Sequence, residues 1–338
     1  MNRHTQQFRR RTALKMATSL ACTLLAGCSN NSNAGSNASS GGSGAQARTL
    51  TIGFNPTIVQ PQALLGVAND AYKAALPGVT TSFKRYEAGP EVVENLRAGV
   101  IDIGCSGPFP AMKAYLKAGD VVLLCGAASG GTQLMVKGDS PIKSVADLKG
   151  KVIGINQLGS TVETMVRYQV LRAGLKPATD VTFTQVKPAE QADALTKGDV
   201  AAVAAPAPWP SFVQINAKAR PLLDWKAIYE GGSYLSGSFY ATKNWVQANP
   251  ELARQFVAAT KKMTDGLNAN RARGDAQVLA AWEKVTRKTL KPEVAKAAFS
   301  TIQYTTEANE AGLQKFADVN FQLGVIKQKP DVKGFVWK

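Results

Sequence analysis

VIGINQLGSTVETM, Val152 to Met165, is the stretch whose reading decides the fold. Four apolar residues precede a Gly-Ser-Thr corner and a helical pattern, which predicts a strand, a tight corner and a helix. Ser160 and Glu163 fit S-x-x-E, the capping box, in which serine and glutamate satisfy orphan amides reciprocally. The same corner leaves further backbone N–H groups at the positive end of a helix dipole, where an anion can sit. These residues alone allow both a plain helix cap and an anion-binding corner.

The motif repeats outward in both directions. Leu50–Phe54 leads to a helix near Gln62–Ala75, and Thr80–Tyr86 to one at Pro90–Ala98. Ile101–Gly104 runs through Cys105-Ser106-Gly107 into a helix near Phe109–Ala118, and Val121–Gly126 is a further strand. After Gly130-Gly131-Thr132, either a hinge or a turn, strands are expected at Lys151–Ile155, Val181–Val186 and Val200–Ala205. Helices at Ser160–Ala173 and Ala189–Lys197 lie between them, and Pro206–Pro210 reads as a loop. Beyond Ser236 one strand, Gly237–Thr242, gives way to helices near Pro250–Asn268, Ala276–Thr286, Pro292–Phe299 and Glu307–Leu323. Such alternation predicts an α/β fold with mainly parallel sheets covered by helices on both faces. Three strands end in small residues at a helix start: Asn55-Pro56-Thr57, Cys105-Ser106-Gly107 and Gly159-Ser160-Thr161. Ligands of open α/β sheets bind beyond the carboxyl ends of strands. Three such corners on two facing sheets therefore predict an amide-lined cleft.

The amino-terminal residues read as an address. Arg3, Arg9, Arg10, Arg11 and Lys15 precede an apolar stretch, Met16–Ala26, too short to span a bilayer as a mature helix. It ends in Leu25-Ala26-Gly27-Cys28, which resembles the lipobox of bacterial lipoproteins. That resemblance implies a signal over residues 1–27, removed on export, and a lipid on Cys28. RRRTALK, from Arg9 to Lys15, also resembles a twin-arginine export signal, with Ala13 where phenylalanine is commonest. Residues 28–48 read as a flexible tether, since Ser29–Arg48 is rich in Ser, Asn and Gly and carries nothing apolar larger than alanine.

Charge and composition exclude several classes. The formal charge of +16 becomes +11 without residues 1–27, which hold five basic residues and no acidic one. The basic residues are scattered without aromatic interleaving, so nucleic acid is not an expected partner, whereas anionic solutes or headgroups are. The single histidine, His4, lies in the signal, so the mature chain has no Ser–His or Cys–His dyad and no His-ligated metal. There is no phosphate-binding G-x-x-x-x-G-K either. No catalytic residue, metal or cofactor is expected. Cys105 and Cys125 stand at the ends of expected strands, and the sequence leaves both a disulfide and two free thiols open.

Three longer stretches carry a family resemblance: Glu87–Gly104 (EAGPEVVENLRAGVIDIG), Ser140–Gly154 (SPIKSVADLKGKVIG) and Ser236–Leu252 (SGSFYATKNWVQANPEL). They are similar to periplasmic solute-binding proteins of ABC importers, in the group that takes up alkanesulfonates, taurine and nitrate. The likeness runs from about Thr49 to Trp337. It implies a type II periplasmic binding protein fold, two doubly wound α/β lobes joined by two crossover strands. Lobe 1 would comprise residues 49–133 plus 233–338 and lobe 2 residues 134–232. Carried over, the oxyanion would be held by Asn55, Ser106, Gly107, Gly159, Ser160 and Thr161, with Ser238 as an additional candidate and Trp209 as a wall for an apolar tail. Family members often carry Asp where this chain has Pro108, and Val-Asp-Ala where it has Val200-Ala201-Ala202. Without those carboxylates a taurine-like ammonium loses its partners. The expected solute is a small organic anion, an aliphatic sulfonate, delivered by a lipid-anchored monomer on the periplasmic side of a bacterial membrane to an ABC permease. Nitrate, taurine, bicarbonate and a thiamine-precursor pyrimidine are the alternatives on the same fold, and an enzyme is the alternative of another class.

Overall fold

The computed structural model describes residues 48–229 and 232–338. The expected signal, Cys28 and the tether as far as residue 47 lie outside the described residues.

The described residues open with β1 (Arg48–Phe54), α1 (Pro61–Asn69), α2 (Ala71–Ala75), β2 (Val79–Arg85), α3 (Gly89–Arg97), β3 (Ile103–Ser106), α4 (Pro108–Ala118) and β4 (Val121–Gly130). They continue with β5 (Gln133–Lys137), β6 (Val152–Ile155), α5 (Thr161–Arg172), β7 (Thr182–Gln185), α6 (Gln191–Lys197), β8 (Ala202–Ala205), α7 (Trp209–Asn216) and β9 (Ala219–Leu223). They close with β10 (Leu235–Thr242), α8 (Lys243–Ala248), α9 (Pro250–Ala269), α10 (Arg271–Thr286), α11 (Pro292–Phe299), β11 (Ile302–Tyr304) and α12 (Glu310–Gln322). Prolines start α1, α3, α4, α9 and α11, where a missing N–H leaves no bond unmade.

Two sheets result, in the orders β2-β1-β3-β10-β4-β11 and β7-β6-β8-β5-β9. Each has a parallel triplet built from its strand–corner–helix repeats. The strands that arrive from the opposite sheet, β10 and β5, insert antiparallel beside that triplet. Both sheets are therefore mixed rather than mainly parallel, because the chain crosses between them twice and each returning strand runs against its neighbours.

The first crossover is short. Gly130 and Gly131 have φ of 78° and 82°, the left-handed region open to glycine, so this pair is the junction of β4 with β5. A Cβ on Gly130 would also stand 2.5 Å from the Thr301 carbonyl. The second crossover leads from β9 to β10, and Tyr234 ties the two together. Its hydroxyl accepts the Thr132 N–H at 3.0 Å, and its carbonyl accepts the Gly130 N–H at 3.2 Å.

The apolar positions follow the periods. In α9, Leu252, Phe256, Ala259 and Leu267 recur at helical spacing and are buried. Phe256 stacks on Tyr72 with centroids 4.8 Å apart. A second core is continuous between the halves: Val92 and Phe109 join Phe316 and Tyr229, then Met165 and Ile153. Phe109, Phe316 and Tyr229 meet edge to face.

Cys105 and Cys125 are both free and buried. They flank Phe239 of β10 on either side, at one register, so two strand spacings of about 4.8 Å separate them. No disulfide spans that gap without backbone movement. Burial pushes the Cys125 thiol up to about 12 and Cys105 upward too. Both are neutral at physiological pH. Their contribution to stability is complete below the ordinary thiol range and is lost as the pH rises toward 12.

Candidate functional site

The Gly-Ser-Thr corner caps α5 in a form slightly different from the expected one. Ser160 Oγ accepts the Glu163 N–H at 3.2 Å, as the motif requires. The Glu163 carboxylate accepts the N–H of Gly159 instead of that of Ser160, whose own N–H lies 3.4 Å from the Gln157 carbonyl. The left-handed φ of 77° at Gly159 turns its amide toward Glu163, which also pairs with Arg167 at 2.7 Å. Ser160 Oγ further donates to Asn156 Oδ1 at 3.1 Å.

This corner faces two others across a small cavity of about 30 Å³. Asn55, at the end of β1, has its Oδ1 taken by Gln60 Nε2, which leaves its side-chain NH2 with no partner among the described residues. Gly89 begins α3, Gly107 caps α4, and Ser160 and Thr161 begin α5. Three helices of nine, eleven and twelve residues thus bring their amino-terminal ends to one space. Asn156, Ser236 and Thr132 complete its polar wall, and no charged side chain lines it. Neutral donors and three positive dipole ends suit an anion, and no carboxylate lines the cavity to hold a cation.

The two halves touch here. Thr161 Oγ1, from the second half, accepts the Phe109 N–H of α4 at 3.1 Å. Gly107 permits the approach, since a Cβ there would lie 2.5 Å from the same oxygen. Gly159 rests near Pro90 of α3, which a Cβ would meet at 3.7 Å.

Asn55, Gly107, Ser160 and Thr161 line the cavity, whereas Gly159 is not among its lining residues and its N–H is held by Glu163. Ser106 and Ser238 do not. The Ser106 hydroxyl lies 2.7 Å from the Tyr240 hydroxyl beneath α3, and Ser238 Oγ donates to the Ser106 carbonyl at 3.0 Å inside the sheet. Burial raises the Tyr240 phenol, which stays a neutral hydroxyl. Trp209 opens α7 instead of sitting in a loop, because Pro208 and Pro210 occupy positions around a helix start that tolerate proline. Its ring packs on Trp282 and Phe212 at 6.0 and 5.9 Å. It walls an outer chamber of about 540 Å³ that shares Asn55, Asn156 and Pro206 with the polar cavity.

Asn156, Ser236, Thr132 and Gly89 are among the lining residues that sequence reasoning missed, with the apolar Val59, Pro110, Val162 and Pro206. One signal was present: β1 closes with Ile52-Gly53-Phe54 and β6 with Ile153-Gly154-Ile155, each followed by an asparagine, so equivalent strands of both sheets deliver an asparagine to the cleft. A larger cavity, about 1120 Å³, lies between α10, α11 and the second crossover. None of the corner residues lines it, and its Arg271 is already bound to Asp275 and to two carbonyls. Size alone does not make it the site.

Residues 43–282 match the NMT1-like family. The chain belongs to that family. This NMT1-like chain is 27% identical over 279 residues to the aliphatic sulfonates-binding protein of Escherichia coli (strain K12), covering 81% of this chain and 85% of the relative. Its fold is that of the periplasmic binding proteins. The alkanesulfonate-binding protein of Xanthomonas axonopodis pv. citri, solved bound to MOPS, superposes with a TM-score of 0.71 at 23% identity, over 86% of this chain and 98% of that one. The periplasmic nitrate-binding protein of Synechocystis PCC 6803 gives a TM-score of 0.71 at 15% identity, over 85% of this chain and 84% of that one.

Proposed function

We propose that this NMT1-like protein is the substrate-binding component of an ABC importer and captures a small organic anion, an aliphatic sulfonate, between its two α/β halves. One observation carries the reading: three helix amino termini and neutral hydroxyl and amide groups converge on a cavity without a charged side chain. Hydrogen bonds to a charged group contribute roughly 1.5–3 kcal/mol each, and a helix terminus adds about 0.3–1 kcal/mol. Three to five such bonds, less desolvation and closure, amount to about −8 kcal/mol, a micromolar Kd. A sulfonate head is larger than the cavity, so capture calls for the halves to part about Gly130–Thr132 and the second crossover and to close over it. Its sulfonate-binding and nitrate-binding relatives support transport over catalysis.

Calorimetric titration with propane-1-sulfonate, taurine, nitrate and bicarbonate tests the reading. A micromolar Kd for the plain sulfonate, with taurine weaker, is expected. Clear binding of nitrate or bicarbonate with none of any sulfonate would contradict it.

The lipidated Cys28, the tether over residues 28–48, export by the twin-arginine route, the lobe boundaries and action as a monomer on the periplasmic side belong to the same proposal. Its support is the Leu25–Cys28 motif and the run of three arginines. Labelling expressing cells with an alkyne fatty acid is expected to tag the wild-type chain, and Cys28→Ala to abolish the tag. A tag of undiminished intensity on that variant would remove the anchor from the account.

A further inference from the structure

Beyond the polar cavity the cleft widens into the outer chamber, whose wall differs in kind. Arg85 at the end of β2, Lys187 ahead of α6 and Lys288 just after α10 reach it from separate elements, two in the first half and one in the second. None of the three has a carboxylate partner among the described residues. Arg85 spends one N–H on the Val285 carbonyl, at 2.6 Å, which fixes the guanidinium and leaves its other donors. Two carboxylates share the chamber. Glu91 Oε2 accepts the Glu87 N–H at 3.0 Å where α3 begins, Glu87 itself is exposed, and three cations against two carboxylates leave the chamber wall with one net positive charge.

A second observation is independent of charge. Thr57 lines the chamber, is only 5% exposed, and its Oγ1 has no hydrogen-bond partner. A buried hydroxyl is rarely left so, because the lost solvation is not recovered. Its surroundings are complete only when something polar occupies the chamber. The polar cavity, at about 30 Å³, takes a head group only when the halves part to admit it, whereas the adjoining space of about 540 Å³ takes the rest of a solute.

We infer that the outer chamber is a second anion subsite, and that the solute is an organosulfonate bearing another acidic group on its tail. The first acidic group sits among the neutral donors of the inner cavity, and the second lies among Arg85, Lys187, Lys288 and the Thr57 hydroxyl. This rests on the proposed reading of the inner cavity. The two groups are held differently: the inner by directed hydrogen bonds, the outer by exposed charges that salt screens.

The test compares propane-1-sulfonate with 3-sulfopropanoate, which differs by a carboxylate in place of a terminal methyl. Calorimetry on the purified full chain at low salt is expected to give 3-sulfopropanoate about tenfold tighter binding, as two or three exposed ion pairs provide. Raising the salt is expected to shrink the advantage. Lys187→Gln with Lys288→Gln is expected to reduce it below about threefold, with a smaller loss for the monoanion. Equal affinities for the two solutes would overturn the second subsite and leave the proposed function standing. An advantage that survives the double substitution would place the carboxylate elsewhere and overturn the assignment. If neither solute binds, the inner cavity is misread and both readings fall.

Discussion

Replacing Ser160 and Thr161 together with alanine is expected to weaken sulfonate binding by about 100-fold, the loss of two hydrogen bonds to a charged group. Both residues line the cavity, and each hydroxyl already has a role in the fold. Ser160 caps α5 through the Glu163 amide, and Thr161 takes the Phe109 N–H of the facing half. The same variant therefore loses about 1 kcal/mol of stability with the cap, more if the freed Phe109 amide finds no other acceptor. The two readouts separate the roles: urea unfolding follows the cap, and calorimetry follows the site. If stability falls while affinity moves less than about threefold, the corner is a cap and nothing more.

Gly107→Ala is the second large effect, and it acts on closure instead of on a binding group. The backbone at Gly107 has φ −59° and ψ 149°, which alanine adopts without strain. The difficulty is across the cleft, where the new methyl would meet Thr161 Oγ1 at 2.5 Å and Thr161 Cβ at 2.9 Å. Overpacking of this kind costs about 2 kcal/mol, charged to the closed state alone, so solute affinity is expected to fall about 30-fold. Thermal stability without solute is expected to change little, since parting of the halves relieves the clash. Small-angle scattering on the variant is expected to show less compaction on adding sulfonate than the wild type shows. Unchanged affinity would mean that the solute is held without the approach of α4 to α5.

Much of this was legible in the sequence where one residue has one job. The cap at Ser160 follows from its spacing to Glu163, and the α/β class follows from strands that end in small residues. Pro292 to Phe299 matches α11 at both ends. The short elements were hidden for physical reasons. β9 contains Pro221 and is tolerated because it is an edge strand. β11 is three residues long, and its place beside β4 is decided by contacts distant in sequence. α7 looked like a loop because proline is read as a breaker before it is read as a helix start.

The site was half legible for a related reason. Strand ends named the corners, but which side chain on a corner faces the cleft depends on the partner strand. Ser106 and Ser238 belong to neighbouring strands of one sheet and are paired at one register, so they bond to each other's surroundings and not to the cavity. Asn156, three residues before the Gly159-Ser160-Thr161 corner, turns inward because Ser160 holds its carbonyl oxygen. Sequence spacing carries neither fact.

The most direct test of the central claim is a crystal structure of the protein with propane-1-sulfonate. The expected density has the sulfonate group among Asn55, Gly107, Ser160 and Thr161, with the tail directed past Pro206 into the chamber walled by Trp209. A sulfonate seated instead in the cavity between α10, α11 and the second crossover, with the cleft between the corners empty, would contradict it.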